Sequence, residues 1–400
     1  MPDPEGLLED WLTQAVSREA TGDYDDCKLD PVRALLRRLP APPAPVTIAG
    51  TKGKGSTLRL LEGILRAHER PTVAFTSPHV RTVRERWRVD GRVVDAATAW
   101  AAARTVDRAE RAAGLVQSYF ERCFAIACVL AAGHPSAIFL LEVGLGGRLD
   151  CANALDCRLA LLAHVGYDHC ELLGDSPGAI AREKCAVARP DRPLLVGPQV
   201  HLDAEQLSEA LPPGVQARMV DRELVPSDWD VGLPGTHQRD NAALALAAAR
   251  LLIERPDEAR LRAGLAEARL AARCQLLVRP ERRLLIDAAH HDRSLAATLA
   301  HAETVLRPGW ICICGLARDK DMQRIAPVLT GSRLWRCGYD WPRARCLADW
   351  PPHLQQTPWF DRIDTALAAL PADVDACICG SFYLAGEALA RLAPDDPLPG

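Results

Sequence analysis

Short apolar runs alternate with apolar stripes at helical spacing along most of this chain. Residues 46–49, 70–79, 136–147, 159–165 and 193–197 read as buried strands, several closing on glycine or a polar turn. Helical stripes lie between and around them. Leu7, Leu8, Trp11, Leu12 and Val16 form one, and Val32, Leu35, Leu36 and Leu39 another, with a break at 23–28. Leu58–Leu65, 96–113, 119–132, 176–188 and 233–253 carry the rest. Strand alternating with helix predicts an α/β fold with a largely parallel sheet, its site at the carboxyl edge. Residues 200–232 fit neither period and leave room for a small β excursion. The charged, alanine-rich stretch 255–272 reads as the last helix before a boundary. The pattern then restarts with strands at 283–287, 310–315, 333–337 and 375–380, which predicts a second, smaller α/β domain. The expected division is 1–270 and 271–400. Pro40–Pro45 is a stiff connector, and the chain end from Pro394 reads as a frayed tail.

Composition narrows the function classes. A net charge of -4 over 400 residues argues against nucleic acid or an anionic membrane as main partner. No apolar run is long enough to span a bilayer. Met1-Pro-Asp-Pro-Glu-Gly6 lacks the basic and apolar regions of a signal peptide, so the cytoplasm is expected. The 14 cysteines contain no C-x-x-C pair, and Cys312/Cys314 and Cys377/Cys379 alternate inside apolar runs. Buried thiols acting as small hydrophobes fit this better than a zinc site.

The clearest chemistry follows the first strand. Gly50-Thr-Lys-Gly-Lys-Gly-Ser-Thr57 joins that strand to a helix. Glycines let backbone N–H groups turn inward around phosphate oxygens, and a helix N-terminus adds partial positive charge. Lys54 would reach the β- and γ-phosphates, and the Ser56 hydroxyl would hold Mg²⁺. The spacing departs from the usual G-x-x-x-x-G-K-[ST], because Gly55 separates Lys54 from Ser56. The competing reading, a glycine-rich turn that binds nothing, is disfavoured by the flanking strand and helix.

Ionisable residues cluster just past other strand ends. Glu142 closes a fully apolar strand, where a carboxylate is costly unless paired or metal-bound. Metal or nucleotide chemistry is favoured there over a structural ion pair. Asp168 and His169 are capping residues or ligands. Arg81, Arg84, Arg86, Arg88 and Arg92 form either a solvated face or a contact for an anionic substrate. His237, Gln238 and Asn241 open a helix as caps or ligand contacts. In the second domain, Asp287 ends a strand before His290 and His291, and Arg318-Asp-Lys-Asp321 follows the next.

Together these segments resemble the folylpolyglutamate synthase/dihydrofolate synthase branch of the Mur ligase family, over nearly the whole chain. The family's G-T-[NK]-G-K-G-S loop is Gly50–Ser56, its T-S-P-H is Thr76–His79, and Glu85-Arg86 follows. Its E-V-G-L-G-G-R-L-D is Glu142–Asp150, its D-H-x-x-x-L-G is Asp168–Gly174, and its A-R-E-K is Ala181–Lys184. Its H-Q-x-x-N-A-A-L-A is His237–Ala245, its D-K-D is Asp319–Asp321, and its G-S-x-Y-L is Gly380–Leu384. The resemblance implies an N-terminal Mur-ligase-type P-loop ATPase domain over 1–270 and a smaller, Rossmann-like C-terminal glutamate-ligase domain over 271–400. It implies a monomeric amide ligase that phosphorylates a pterin-type acid with ATP and lets L-glutamate attack the acyl phosphate. Gly50, Thr51, Lys52, Gly53, Lys54, Gly55, Ser56 and Thr57 would contact the nucleotide, with Asn241, Arg273 and Asp287. Lys54, Lys184 and His290 would be catalytic, and Ser56, Glu142 and His169 would bind Mg²⁺. Lys184 matches a lysine that the family carbamylates to orient a second ion. Phe120 and Asp150 fall at pterin contacts.

Two segments depart from the family pattern. D-G-A-H-N-P reads Asp287-Ala-Ala-His-His-Asp292, and W-P-G-R keeps only Arg273. Two alternatives therefore stand beside the folate ligase. One is a relative that applies the same chemistry to another acid or amine. The other is an inactive nucleotide-binding paralogue, against which the retained Lys54, Ser56, Glu142, His169 and Lys184 argue.

Overall fold

The structure is a computed structural model, and it describes residues 3–18 and 28–394. The expected break at 23–28 and the expected tail fall outside the described residues, apart from Lys28 and Pro394. The chain forms two compact units. One takes the chain as far as Ser77 and again over Arg84–Arg269; the other takes Pro78–Val83 and the chain from Leu270 onward.

The first unit is built on eight strands: β1 Val46–Ala49, β2 Thr72–Phe75, β3 Trp87–Val89, β4 Arg92–Val93, β5 Ile138–Glu142, β6 Leu159–His164, β7 Leu194–Gln199 and β8 Ala217–Met219. Their order is β4-β3-β2-β5-β1-β6-β7-β8. All pairings are parallel except β2 with β3 and β3 with β4. The expected, largely parallel sheet is therefore present, and β8 supplies a short strand inside 200–232. The central strands are buried on both faces, which is why they read as apolar runs without alternation. Register places Ile48 opposite Glu142 and Ala49 opposite Leu162. The ends of β1, β5 and β6 thus share one edge, and that juxtaposition positions the site.

Local signals set the helices. Asp95 caps Ala96–Ala113 by accepting from the Thr98 N–H, and Gly114 ends it in the left-handed region. Ser118 and Glu121 form a capping box on Tyr119–Ala132. The helix after β1 runs Lys54–Ala67, starting before the Leu58 stripe because Lys54–Thr57 already form its first turn. It packs on the helices His237–Leu252 and Glu258–Glu267. Where it meets the latter, a Cβ on Gly63 would lie 2.5 Å from the Gly264 carbonyl oxygen.

The arginine run is neither a solvated face nor an open anion site. It contains a 3-10 turn, Val83–Arg86, and the antiparallel strands β3 and β4. Arg84 pairs with both carboxylate oxygens of Glu5 at 2.9 and 3.2 Å. Arg86 lies over the Tyr119 ring, and Arg88 is buried against Glu62. Only Arg92 is exposed among Arg84, Arg86, Arg88 and Arg92.

The second unit carries six strands: β9 Gln275–Val278, β10 Arg283–Ile286, β11 Ile311–Cys314, β12 Leu334–Cys337, β13 Trp359–Phe360 and β14 Ala376–Cys379. Their order is β13-β12-β11-β14-β10-β9, parallel except for β9. The two edge strands escaped the sequence reading because β13 is two residues long and β9 is half exposed. One face packs Leu284, Ile286, Ile311, Ile313 and Ile378; the other packs Leu285, Cys312, Cys314, Cys377 and Cys379. These cysteines are fully buried small hydrophobes, as expected. Among the described residues, no helix is long and apolar enough to cross a membrane.

Candidate active site

The loop leaving β1 is tied down before it can bind anything. The Thr51 N–H donates to the His164 carbonyl at 2.9 Å. The Thr51 hydroxyl donates to Gly166 O at 3.0 Å and accepts from Gly166 N–H at 3.2 Å. Gly53 adopts a φ of 79°, and a Cβ there would lie 2.5 Å from Asn241 Oδ1. Glycine is required at this position on both counts. Lys54 Nζ donates to Gly50 O at 3.0 Å, folding the side chain back over the loop. Asn241 is buried beneath: its Oδ1 accepts from Thr57 Oγ1 at 3.5 Å and Gln199 Nε2 at 3.4 Å, and its Nδ2 donates to Gln238 Oε1 at 2.9 Å. A helix that begins in this loop directs the N–H groups of its first turn towards its own N-terminal end, where the helix dipole favours an anion.

Glu142 closes β5 beside this turn, with only 4% of its surface exposed. Its Oε2 accepts from the Ser77 N–H at 3.1 Å, and a Cβ on Gly55 would lie 3.4 Å from the same oxygen. The carboxylate therefore faces the turn that carries Ser56. The next segment, 143–150, is a glycine-rich turn organised by Asp150. Asp150 Oδ2 accepts from the N–H groups of Gly144 and Leu145, both at 3.0 Å, and Oδ1 from Ala152 N–H at 2.9 Å. Burial raises the Asp150 pKa against these three donors. Phe120 packs over Gly144, where a Cβ would come within 2.5 Å of its ring, and stands 5.7 Å from the Phe75 ring.

Gly147 lets this turn touch the helix Pro177–Cys185: a Cβ there would lie 2.5 Å from Glu183 O and 3.1 Å from Lys184 Cα. Lys184 is 3% exposed. Burial first, then the neighbouring Lys54 charge, push its pKa down to about 7, against Asp168, Asp150 and Glu183. An amine whose pKa lies near 7 is partly neutral at that pH, and its neutral form is a nucleophile. Past β6, His169 has a φ of 49°, with Nε2 3.9 Å from Asp168 Oδ1 and Nδ1 3.7 Å from Glu171 Oε1.

Ser56, Glu142 and His169 offer one hydroxyl, one carboxylate and one imidazole. Among the described residues no group of three or more His, Cys, Asp or Glu is placed to hold a metal ion alone. The Ser56 hydroxyl and the Glu142 carboxylate are the oxygen donors that fit Mg²⁺, which takes one or two carboxylates and completes its shell with water and phosphate oxygens.

A second set gathers in the other unit, at the carboxyl end of β10. Asp287 is held by its own surroundings: Oδ2 accepts from Cys274 N–H at 2.7 Å, and Oδ1 from Ala289 N–H at 2.7 Å and the Thr298 hydroxyl at 3.0 Å. The Arg273 guanidinium lies 4.9 Å over the Phe382 ring. His290 Nδ1 is 2.8 Å from Ala288 O, and its ring stands 4.3 Å from that of His291. In the Asp319-Lys-Asp321 segment, burial works against ionisation of Asp319, but Lys320 and Arg343 hold its carboxyl below the ordinary range.

Most candidate site residues thus fall into two groups, Gly50–Thr57 with Glu142, Asp150, Lys184 and Asn241, and Arg273 with Asp287 and His290; Phe120 joins the first through Gly144, and His169 follows β6 beside Asp168 and Glu171. Sequence reasoning missed the buried charges beneath the first group. Glu62 is wholly buried, and its Oε2 accepts from Arg59 Nη1 at 2.8 Å and Arg88 Nε at 2.9 Å. Burial would raise the Glu62 pKa, but Arg88 and Arg59 together hold it low. The available signal was a charged i,i+3 pair, Arg59 and Glu62, inside the apolar run Leu58–Leu65.

Compared with protein-family models, the chain matches none. It is 30% identical to the dihydrofolate synthase/folylpolyglutamate synthase of Escherichia coli K12, over 96% of this chain and 94% of that one. The enzyme of the same name from Mycobacterium tuberculosis H37Rv is 29% identical, over 76% and 73%. Among solved structures, Escherichia coli FolC in complex with DHPP and ADP superposes with a TM-score of 0.82 at 26% identity, covering 98% of this chain and 99% of that one. A bifunctional folylpolyglutamate synthase/dihydrofolate synthase with Mn, AMPPNP and L-glutamate bound gives 0.82 at 25%, covering 96% and 98%. The ordered motifs, the two α/β units and these matches lead to one assignment: this chain belongs to the dihydrofolate synthase/folylpolyglutamate synthase family.

Proposed function

We propose that this protein is an ATP-dependent ligase that joins L-glutamate to the carboxylate of dihydropteroate or of a folate through an acyl phosphate. The observation that carries this reading is the meeting of a phosphate-type loop, the Glu142 carboxylate and a buried, low-pKa Lys184 at one sheet edge. Phosphoryl transfer asks for positioning and charge neutralisation more than for covalent participation. The loop N–H groups and Lys54 supply positive charge to the transferring phosphoryl group. Ser56, Glu142 and His169 would hold Mg²⁺, which would supply neutralisation of developing negative charge. The acid's carboxylate oxygen attacks the γ-phosphorus and ADP leaves. The glutamate amine then attacks the acyl carbon, the amide forms, and phosphate leaves with the former carboxylate oxygen.

Lys184 is suited to carbamylation. Its neutral amine adds to CO₂, a C–N bond forms, a proton is released, and the product is a carboxylate that orients a second ion. Residues 1–270 act as the ATP-binding domain and 271–400 as the glutamate-ligase domain. Asn241, Arg273 and Asp287 serve the nucleotide, and His290 is the catalytic residue of the second domain. Phe120 offers the pterin an aromatic face. Asp150 acts by shaping the turn beneath it, since its oxygens already accept three backbone N–H groups. The family resemblance supports a monomeric enzyme, the character of residues 1–6 a cytoplasmic one, and the net charge of -4 small-molecule partners over nucleic acid.

Phosphate release with Mg-ATP and L-glutamate tests this, comparing dihydropteroate, tetrahydrofolate and no acid. Stimulation by dihydropteroate with a glutamylated product establishes the synthase reaction; stimulation by tetrahydrofolate establishes tail extension. No stimulation by either, with ATP still bound, would shift the reading to another acid or amine.

A further inference from the structure

The buried charge cluster Arg59–Glu62–Arg88 connects to the candidate metal ligand by a short chain of bonds. Arg88 Nη1 donates to Thr76 Oγ1 at 3.2 Å, and the Thr76 hydroxyl donates to Glu85 O at 3.4 Å. The next residue, Ser77, holds Glu142 Oε2 through its N–H at 3.1 Å. On the far side, Arg59 Nε donates to Arg269 O at 2.9 Å. Ser77 and Arg269 are places where the chain leaves the first unit, and Glu85 adjoins Arg84, where it returns. Through Arg59 and Arg88, one fully buried carboxylate is therefore linked to Arg269 and to Thr76, the neighbour of the N–H that holds Glu142.

The cluster is poorly suited to stabilising the fold. Two guanidinium groups share a single carboxylate oxygen, and neither Glu62 Oε1 nor Arg88 Nη2 has a hydrogen-bond partner among the described residues. Buried ion pairs with unmet polar atoms are commonly no better than apolar side chains of the same volume. What such a cluster provides is one fixed geometry. Outer-layer partners of this kind orient the groups that touch a metal.

We propose that Arg59, Glu62 and Arg88 are positioning residues for Glu142: they lock Thr76, so that the Ser77 N–H presents the Glu142 carboxylate in one orientation for a divalent ion. The inference rests on the reading of Glu142 as a metal ligand. It adds a third layer, reached through Thr76, that is absent from the motif-based list of site residues.

The test uses Thr76→Val, which keeps shape and removes only the hydroxyl link, alongside Glu142→Gln and the unaltered chain. The probe is Mn²⁺, titrated in the presence of a non-hydrolysable ATP analogue and followed by electron paramagnetic resonance. Thermal unfolding is measured in parallel, and the KM for glutamate in a turnover assay. The expected result is that Thr76→Val weakens Mn²⁺ about tenfold, the lower end of what such partners contribute. Its unfolding temperature and KM for glutamate stay near those of the unaltered chain. If Glu142→Gln weakens Mn²⁺ and Thr76→Val does not, the positioning role is overturned while Glu142 keeps its own. If neither weakens it, both fall. Glu62→Gln serves as a second variant: equal losses in Mn²⁺ affinity and in glutamate KM, tracking lost stability, would show a merely structural cluster and overturn the proposal.

Discussion

Lys184 concentrates the chemistry of the site in a single amine. Its folded pKa near 7 lies far below the ordinary lysine value, chiefly because it is buried. Below about pH 7 both folded and unfolded chains hold the proton, and the full cost of burying the charge, on the order of a few kcal/mol, is present. As pH rises from about 7 to about 10.5, the unfolded chain still binds the proton that the folded chain has released, so stability rises. Replacing Lys184 by Met should therefore stabilise the fold most near pH 6 in CO₂-free buffer, with the gain shrinking towards pH 10. Ligase turnover should fall sharply in the same variant. Chemical denaturation across that pH range reads the effect, and a pH-independent difference would contradict the burial of a charged amine. Other single residues show how far composition can be read. Lys54 and Ser56 stand out as candidates from the glycine-rich spacing, and Glu142 from its place at the end of an apolar strand. Asp150, singled out through the family resemblance, and Asp287, singled out at a strand end, gave no sign of what they do locally, since both spend their oxygens on their own loops. That use depends on backbone geometry, which no residue pattern encodes.

Elements were legible where burial was complete. β1, β5 and β6 announced themselves as apolar runs, and their parallel pairing followed from alternation with helices. The stretch from Val83 to Val93 did not, because its arginines look solvated until Glu5, Tyr119 and Glu62 are found beneath them. Three-dimensional partners far apart in sequence decide such cases. The crossing of Lys54–Ala67 with Glu258–Glu267 is another. It is set by Gly63 and Gly264, which let the backbones touch; a Cβ on Gly264 would lie 2.5 Å from Ile64 Cα. Gly264→Ala should force the two helices apart and cost about 1–3 kcal/mol, as overpacking does. Because the first of these helices begins in the phosphate-type loop, nucleotide affinity should fall with stability. Urea unfolding and nucleotide titration of the variant check both, and an unchanged midpoint would show that the contact relaxes freely.

The molecule as a whole divides its candidate chemistry between two α/β units. One carries the phosphate-type loop, Glu142 and Lys184; the other carries Arg273, Asp287 and His290. The chain enters the second unit for Pro78–Val83 and returns, a detail invisible to a sequence reading that placed a single boundary near 270. Residues 78–82 carry no strand or helix, and Val80 joins a core built from strands far along the chain. The altered Asp287–Asp292 segment places two histidine rings 4.3 Å apart where the family pattern has one histidine, yet Asp287 and His290 remain anchored. The acyl-phosphate route makes a prediction about one oxygen atom. Dihydropteroate labelled with ¹⁸O in its carboxylate should be incubated with the protein, Mg-ATP and L-glutamate, and the conjugate and the inorganic phosphate analysed by mass. A glutamyl conjugate accompanied by phosphate carrying one ¹⁸O is the predicted result. Phosphate without the label, or ATP consumption with no conjugate, would contradict ligation through an acyl phosphate.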